Sequence, residues 1–379
     1  MNLVCEKEGP ASPSPPVPTT QTAPKLEQLP SATSASKVRT VAQVNYFHGF
    51  DYLRIVFTIL VIVGHSDLLK WWAIAREGKV GPGANLWDYV YFNFQSCAVP
   101  AFMMIAMILF LMKPPSWART KDRLIKLFYL YGFWVGAWVF HTKVTPAPTF
   151  LGVIEFGLRG GGWLFYFLAV LIICTLVGWG AASLPRLWQW IGLGITLGVM
   201  LLTYAWTHQD YRWVQNQYYW LPTLFTSIPF VVVLLIPYLK RLSEQPRQRY
   251  FWIGLLVILS VAAAVLEWHY AAPSEIVGPD RHWLPKNGRL SIYFGGMALV
   301  LASLGIKKPI GGIGAFFARN TLGIYCLHPF VLMGCVKFAT RILGGRAPGW
   351  EIPFGLVLLL IGCALVSEFL RRAFQSRLV

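Results

Sequence analysis

The chain has 379 residues, of which 56% are hydrophobic and only 13% charged, and its formal net charge is +17. Soluble globular chains carry about 25% charged residues, so the composition argues against a soluble, nucleic-acid-binding domain. The apolar runs are continuous rather than alternating, which excludes an outer-membrane barrel and predicts an all-α polytopic membrane protein.

The beginning of the chain, residues 1–45, is rich in Pro, Ser, Thr and Ala and contains no apolar run. Such a segment cannot bury enough apolar surface to fold, and it lacks the core of a cleavable signal peptide. We therefore predict a disordered cytoplasmic tail at 1–45, a transmembrane domain at 46–372 and a short cytoplasmic C-terminal tail at 373–379.

Ten apolar segments follow the tail, and each is predicted to form one membrane-spanning helix of a bundle. They lie near residues 51–70, 88–112, 125–142, 162–182, 188–206, 219–238, 250–270, 289–306, 320–340 and 352–370. With the tail inside, the larger share of Lys and Arg lies in cytoplasmic loops and ends. The positive-inside rule therefore predicts that both termini are cytoplasmic.

The six cysteines contain no CxxC pair, and most of them lie inside apolar segments. This arrangement predicts neither a disulfide framework nor a zinc site. We assign no residue to a metal and expect no permanently bound cofactor.

The first apolar segment, DYLRIVFTILVIVGH, carries an arginine and a histidine that are costly in lipid. Arg54 and His65 are eleven positions apart, about 1100° of helix, so they share one face and stand about 16 Å apart. With the N-terminus inside, Arg54 lies near the cytoplasmic surface and His65 lies beyond the bilayer centre. The pair places a fixed cation and a proton-transfer group at two depths of one stripe.

Each of these two residues also has a purely structural interpretation. Arg54 can extend to the inner interface and pair with Asp51 three residues earlier. His65 can be satisfied by a carbonyl of a neighbouring helix. In a transporter or flippase, the same two residues would serve proton coupling, so the pair alone does not choose a function.

Five segments in order resemble the membrane acyltransferase-3 family, over roughly residues 46 to 372. FDYLRIVFTILVIVGHS is similar to its opening helix, which has a basic residue, ten others and a histidine. VPAFMMIAMILF, RTKDRLIKLFYLY, GGWLFYFLAVLIIC and TLGIYCLHPFVL resemble its second helix, its basic loop into helix three, its Trp-Phe-Leu helix and its late Ile-Tyr-x-x-His helix.

The chain departs from the family pattern in helix two and in the basic loop. Residues 106–109 read Ala-Met-Ile-Leu where the family often has Ser-Gly-Phe-Leu, so a glycine is lost and less space is expected between the helices there. Arg123 and Lys126 stand where the family often has two arginines, and lysine binds phosphate only as a point charge.

The resemblance implies an O-acyltransferase that moves an acyl group, usually acetyl, from cytosolic acyl-CoA to a hydroxyl of a surface glycan. His65 would act as general base and Arg54 would hold the donor. Candidate donor-site residues are Arg119, Lys121, Arg123, Lys126, Tyr325 and His328. Positive-inside topology explains the four cations equally well, and an interhelical hydrogen bond explains the Tyr325–His328 pair equally well.

On the outer side, the resemblance calls for a site that receives the acceptor sugar. Candidates are Trp71, Trp72, Trp87, Trp163 and Glu267. An interfacial aromatic belt explains the first three tryptophans, packing explains Trp163, and a solvated rim explains Glu267. Acyl groups other than acetyl, such as succinyl, and a covalent acyl-histidine intermediate stay open.

Overall fold

A computed structural model describes residues 47–65, 94–113, 116–143, 165–209, 225–271, 289–343 and 351–374, together with 149, 152–153 and 156–157. These residues form ten α-helices and one 3₁₀ turn, and none of them forms a β-strand. The helices are α1 (Gly49–His65), α2 (Ala98–Leu111), α3 (Trp117–Thr142), α4 (Tyr166–Ser183), α5 (Arg186–Gln209), α6 (Ser227–Glu244), α7 (Pro246–Ala271), α8 (Leu290–Ser303), α9 (Gly312–Leu343) and α10 (Glu351–Ala373). The prediction of an all-α fold is confirmed.

The ten helices overlap the ten predicted segments in order, but fewer of them meet the length and composition expected of a membrane span. Among the described residues, four do so: Trp117–Thr142, Tyr166–Ser183, Pro246–Glu267 and Pro353–Ala373. A fifth is counted if the two parts of α9, bent by 65°, form one span. Helix α1 is described over only 17 residues, and α6 ends in the charged sequence KRLSE. A bundle of ten membrane-spanning helices therefore stays a prediction.

Helices α3 and α9 begin about eight residues earlier than their apolar segments, at Trp117 and at Gly312. Helix α3 starts at Trp117, where the Ser116 hydroxyl accepts a hydrogen bond from the Arg119 backbone N–H at 3.3 Å. That cap, followed by good helix-forming residues, makes the basic stretch helical. The prediction that RTKDRLIK forms a loop is wrong, and its four cations lie on the first turns of α3.

The close approach of α1 to α8 sets the relative direction of the helices. A Cβ atom on Gly49, at the start of α1, would overlap the Ser303 carbonyl at the end of α8. Only glycine permits this contact. Residues 304–311 connect α8 directly to α9, so α1 and α9 begin at the same end of the bundle. We call this the inner end, and the opposite one the outer end.

Burial differs sharply between the helices. Helix α2 is buried on all sides, with Met103, Met107 and Ile108 fully enclosed. Helix α7 instead exposes large apolar side chains such as Phe251, Ile258 and Leu266. A helix that is apolar all round lies in the core of a bundle, whereas an exposed apolar face fits contact with lipid. The distribution is that of a membrane protein.

Candidate active site

Arg54 joins the inner half of α1 to α9. Its guanidinium donates to the Asp51 carboxylate at 3.4 Å and to the Thr321 hydroxyl at 3.1 Å. The Arg54 side chain is 26% exposed. The pairing with Asp51 is the one that sequence spacing suggested, whereas Thr321 is separated from Arg54 by 267 residues and had no local signal.

The residue beside Thr321 continues this polar contact to α10. The Asn320 amide donates to Glu368 at 3.2 Å and accepts from the Ser367 hydroxyl at 2.9 Å. Glu368 in turn accepts from Arg371 at 2.7 and 2.9 Å and from Arg372 at 2.8 Å. Two adjacent residues of α9 thus contact different helices: Thr321 contacts α1 and Asn320 contacts α10. The sequence alone pointed to neither residue.

His65 is the last residue of α1, and only its backbone belongs to the described structure. Helical geometry puts position 65 on the same face as Arg54 and about 16 Å closer to the outer end. By the same count from the Arg54–Thr321 contact, Tyr325 and His328 of α9 stand about 6 and 10 Å above that contact. The two α9 residues therefore lie between the depths of Arg54 and His65.

Aromatic side chains from four helices approach one another at this intermediate depth. Phe57 of α1 contacts Phe102 of α2, with ring centroids 5.8 Å apart. Phe102 contacts Phe167 of α4 at 6.1 Å, and Phe167 contacts Tyr325 at 5.6 Å. His328 is 1% exposed, and its Nδ1 atom lies 2.6 Å from the Tyr325 carbonyl oxygen. Tyr325 and His328 therefore belong to a wall of packed aromatic residues.

The four cations of α3 divide into two kinds. The Arg119 guanidinium donates to the carbonyls of Lys113, at 2.9 Å, and of Phe110. The Arg123 guanidinium donates to the Ala106 carbonyl at 3.4 Å and to the Thr175 hydroxyl at 3.2 Å. Both guanidinium groups lie over the Phe110 ring, at 5.2 and 4.8 Å.

Arg119 therefore satisfies carbonyl groups at the end of α2, where a cation also suits the helix dipole, whereas Arg123 binds a carbonyl inside α2 and a hydroxyl of α4. Lys121 and Lys126 are exposed instead. Lys126 follows Arg123 by three residues on the same side of α3, whereas Lys121 lies on the other side.

Glu267 is buried, with 5% of its surface exposed, so the interpretation as a solvated rim residue is wrong. Its carboxylate accepts hydrogen bonds from the Ser291 backbone N–H, at 3.0 Å, and from the Ser291 hydroxyl. Ser291 is in the first turn of α8, where free N–H groups and the helix dipole attract a carboxylate. The position of Glu267 in the sequence of α7 gave no indication that Ser291 of α8 would be its partner.

Four of the acceptor-site candidates, Trp71, Trp72, Trp87 and Trp163, lie outside the described residues. In the part of the chain that is described, no group of three or more His, Cys, Asp or Glu side chains could hold a metal ion.

The fold and this site define an α-helical membrane protein with a polar stripe on its first helix and aromatic residues beside it. Residues 47–368 match the family of acyltransferase domains known as acyltransferase-3. The chain belongs to the acyltransferase-3 family, and the match includes α1 to α9 and most of α10. Comparison with curated proteins and with solved structures finds no significant match. Family membership supports acyl transfer at a membrane as the activity.

Proposed function

We propose that the protein transfers an acyl group, with acetyl as the first candidate, from cytosolic acyl-CoA to a hydroxyl of a surface polysaccharide or other glycan. The acceptor lies across the bacterial inner membrane, and both termini are cytoplasmic. Family membership supports acyl transfer. The observation that carries the proposal is the setting of Arg54, which is half-buried at the inner end and shares a face of α1 with position 65.

In this proposal Arg54 holds the donor. Its contacts are the Asp51 carboxylate at 3.4 Å, on a partly exposed side chain, and the Thr321 hydroxyl at 3.1 Å, on a buried one. A phosphate or amide oxygen of acyl-CoA can take the place of the Asp51 oxygen without breaking helix hydrogen bonds, while Thr321 continues to orient the guanidinium. Arginine suits this role because its planar guanidinium forms two parallel hydrogen bonds with a phosphate.

The cations of α3 are proposed to bind the CoA phosphates at the inner surface. Lys121 and Lys126 are exposed and need lose no contact on binding. Arg119 and Arg123 are held by carbonyls of α2, and they contribute positive potential near the phosphates rather than a free hydrogen-bonding group. Tyr325 and His328, at intermediate depth, would contact the thin pantetheine arm as it extends outward.

The proposed chemistry takes place at His65. The acceptor hydroxyl attacks the thioester carbonyl while the His65 imidazole accepts the hydroxyl proton. The new ester bond forms as the C–S bond breaks, and the proton passes to the departing thiolate, so that the products are acylated glycan and free CoA. A two-step version, in which His65 itself carries the acyl group, uses the same residue and the same depth.

The experiment is thiol release by the purified full-length protein in detergent. Acetyl-CoA and succinyl-CoA are supplied in turn, with surface glycan of the producing strain from which esters have been removed by mild alkali. We expect acceptor-dependent release of CoA, reduced by about 10²- to 10⁴-fold in His65→Ala. The matched control is Phe140→Ala on the exposed face of α3. Proton-dependent transport without any thiol release would replace this proposal with a transporter.

A further inference from the structure

The inward face of α3 continues as aromatic residues to its outer end. Trp134, Trp138 and His141 follow at intervals of four and three, so they share the face that buries Leu127 and Leu130 further in. Burial decreases along this series: Trp134 is buried, Trp138 is half-buried and His141 is exposed. The side chains on this face of α3 therefore become more exposed toward the outer end of the helix.

Phe330 of α9 contacts all three of these α3 residues. Its ring centroid lies 5.8 Å from Trp134, 5.5 Å from Trp138 and 5.4 Å from His141. The last two contacts are edge-on, at 80° and 63°. We call Trp138, His141 and Phe330 the outer aromatic cluster.

An interfacial belt does not account for this cluster, because belt residues face lipid. The lipid-facing aromatics of the same helix end are Phe133 and Phe140, which are 41% and 87% exposed. Trp138 and His141 instead turn toward α9. The imidazole of His141 is exposed in the last turn of α3, so it can contact a ligand beside the two rings.

The cluster lies at the depth of position 65. Phe330 is nine residues beyond Thr321, about 14 Å, and position 65 is eleven residues beyond Arg54, about 16 Å. Both distances start from the same level of the bundle, because Arg54 and Thr321 are joined by a hydrogen bond. The bend in α9 follows Leu332, so the count to Phe330 runs along the unbent part of the helix.

We propose that the outer aromatic cluster is a subsite for a sugar ring of the acceptor glycan. This inference rests on the proposed function. A pyranose ring has an apolar C–H face and an equatorial belt of hydroxyls, so it needs an aromatic surface beside a hydrogen-bonding group. Trp138 and Phe330 supply the surface, and His141 supplies a nitrogen that donates to or accepts from a hydroxyl. The cluster thus binds the ring that presents its hydroxyl to His65.

The test is the KM for de-esterified surface glycan, measured separately from the KM for acetyl-CoA. Trp138→Ala is expected to raise the KM for glycan about fivefold, because one aromatic contact is worth roughly 1 kcal/mol, and to leave the KM for acetyl-CoA unchanged. Trp138→Phe is expected to restore most of the loss. Phe140→Ala, on the lipid-facing side of the same turn, is the matched control and should keep both KM values.

His141→Ala provides a second measurement that holds even if Trp138→Ala does not fold. It is expected to raise the KM for glycan several-fold, with partial rescue by His141→Gln. Wild-type KM values in the folded His141 and Trp138 variants, with the parent protein active, would overturn the subsite and leave the proposed function intact. No CoA release by the parent protein with either donor would instead refute the proposed function itself.

Discussion

Two sets of arginines near the inner end of the bundle are held in different ways. At the corner between α2 and α3, Arg119 donates to the backbone carbonyls of Phe110 and Lys113, and Arg123 donates to the Ala106 carbonyl and the Thr175 hydroxyl. Between α1 and α9, Arg54 donates to side-chain oxygens of Asp51 and Thr321. All three lie in family-like motifs, and only their partners distinguish them.

The difference supports a structural role for Arg119 and Arg123 and the proposed donor-binding role for Arg54. The carbonyls of Phe110 and Lys113, at the end of α2, lack a helical N–H donor, so Arg119 cannot leave them without a cost of about 1–3 kcal/mol. Arg123 binds two groups that are at least partly buried, whereas the Asp51 carboxylate that Arg54 binds is partly exposed. In the proposed function, Arg54 is the arginine that exchanges Asp51 for a ligand, whereas the α2–α3 corner stabilises the fold.

The largest effect that this comparison predicts is on activity, in Arg54→Ala. We expect kcat/KM for acyl-CoA to fall about 100-fold, because a charge-assisted contact to the donor is lost. The melting temperature in detergent should change little, since Asp51 is partly exposed and the Thr321 hydroxyl keeps its hydrogen bond to the Ala318 carbonyl at 3.2 Å. Full activity in the folded variant would remove Arg54 from the donor site.

The next effect is on stability, in Arg123→Ala. Loss of the guanidinium leaves the Ala106 carbonyl and the Thr175 hydroxyl without this donor, and we expect a destabilisation of about 2 kcal/mol. Thermal unfolding in detergent measures it, and Lys121→Ala, exposed on the same helix, is the control for stability. If Arg123→Ala and Lys121→Ala unfold at the same temperature, the contacts of Arg123 do not stabilise the fold.

A smaller effect on donor binding is expected in Thr321→Val, which keeps the shape of the side chain but removes the hydroxyl. The KM for acyl-CoA should rise about tenfold while kcat is maintained, because Arg54 loses one of the groups that orient it. Thr321→Ser restores the hydroxyl and should restore the KM. A rise in KM that serine does not rescue would point to packing rather than to orientation of Arg54.

The smallest effect concerns the contact of α2 with α4. A Cβ atom on Gly178 would overlap the end of the Met107 side chain, whereas nothing lies within 4 Å of a Cβ on Gly180. Alanine favours a helix over glycine by about 1 kcal/mol at both positions, but only Gly178→Ala must displace a neighbour. We expect Gly178→Ala to be less stable than Gly180→Ala by about 1 kcal/mol in thermal unfolding. Equal stabilities would mean that Met107 moves freely.

The apolar pattern was sufficient to predict the helices but not their polar ends. Each of the ten segments contains helical residues, because continuous apolar runs in lipid allow no other backbone structure. The start of α3 was missed because the residues that follow Ser116 are polar, and the start of α9 because two glycines interrupt its first turns, GIGAFFAR. Local rules account for such ends only when the cap is recognised.

The site was predictable where its contacts are local. The Arg54–Asp51 pair follows from spacing along one helix, and so does the shared face of Arg54 and position 65. Thr321 could not be predicted as the second partner of Arg54, because helix packing brings together residues 267 positions apart. Glu267 was misplaced for the same reason: its partner Ser291 lies on the next helix, across a long connection.

The central claim is that acyl transfer crosses the membrane along the face of α1. The direct measurement uses sealed inside-out vesicles that contain the full-length protein and enclose de-esterified glycan, with radiolabelled acetyl-CoA added outside. We predict that label accumulates on the enclosed glycan with the parent protein and with Gly180→Ala, and that His65→Ala abolishes this accumulation. Labelling of the enclosed glycan at the parental rate by folded His65→Ala would contradict the account.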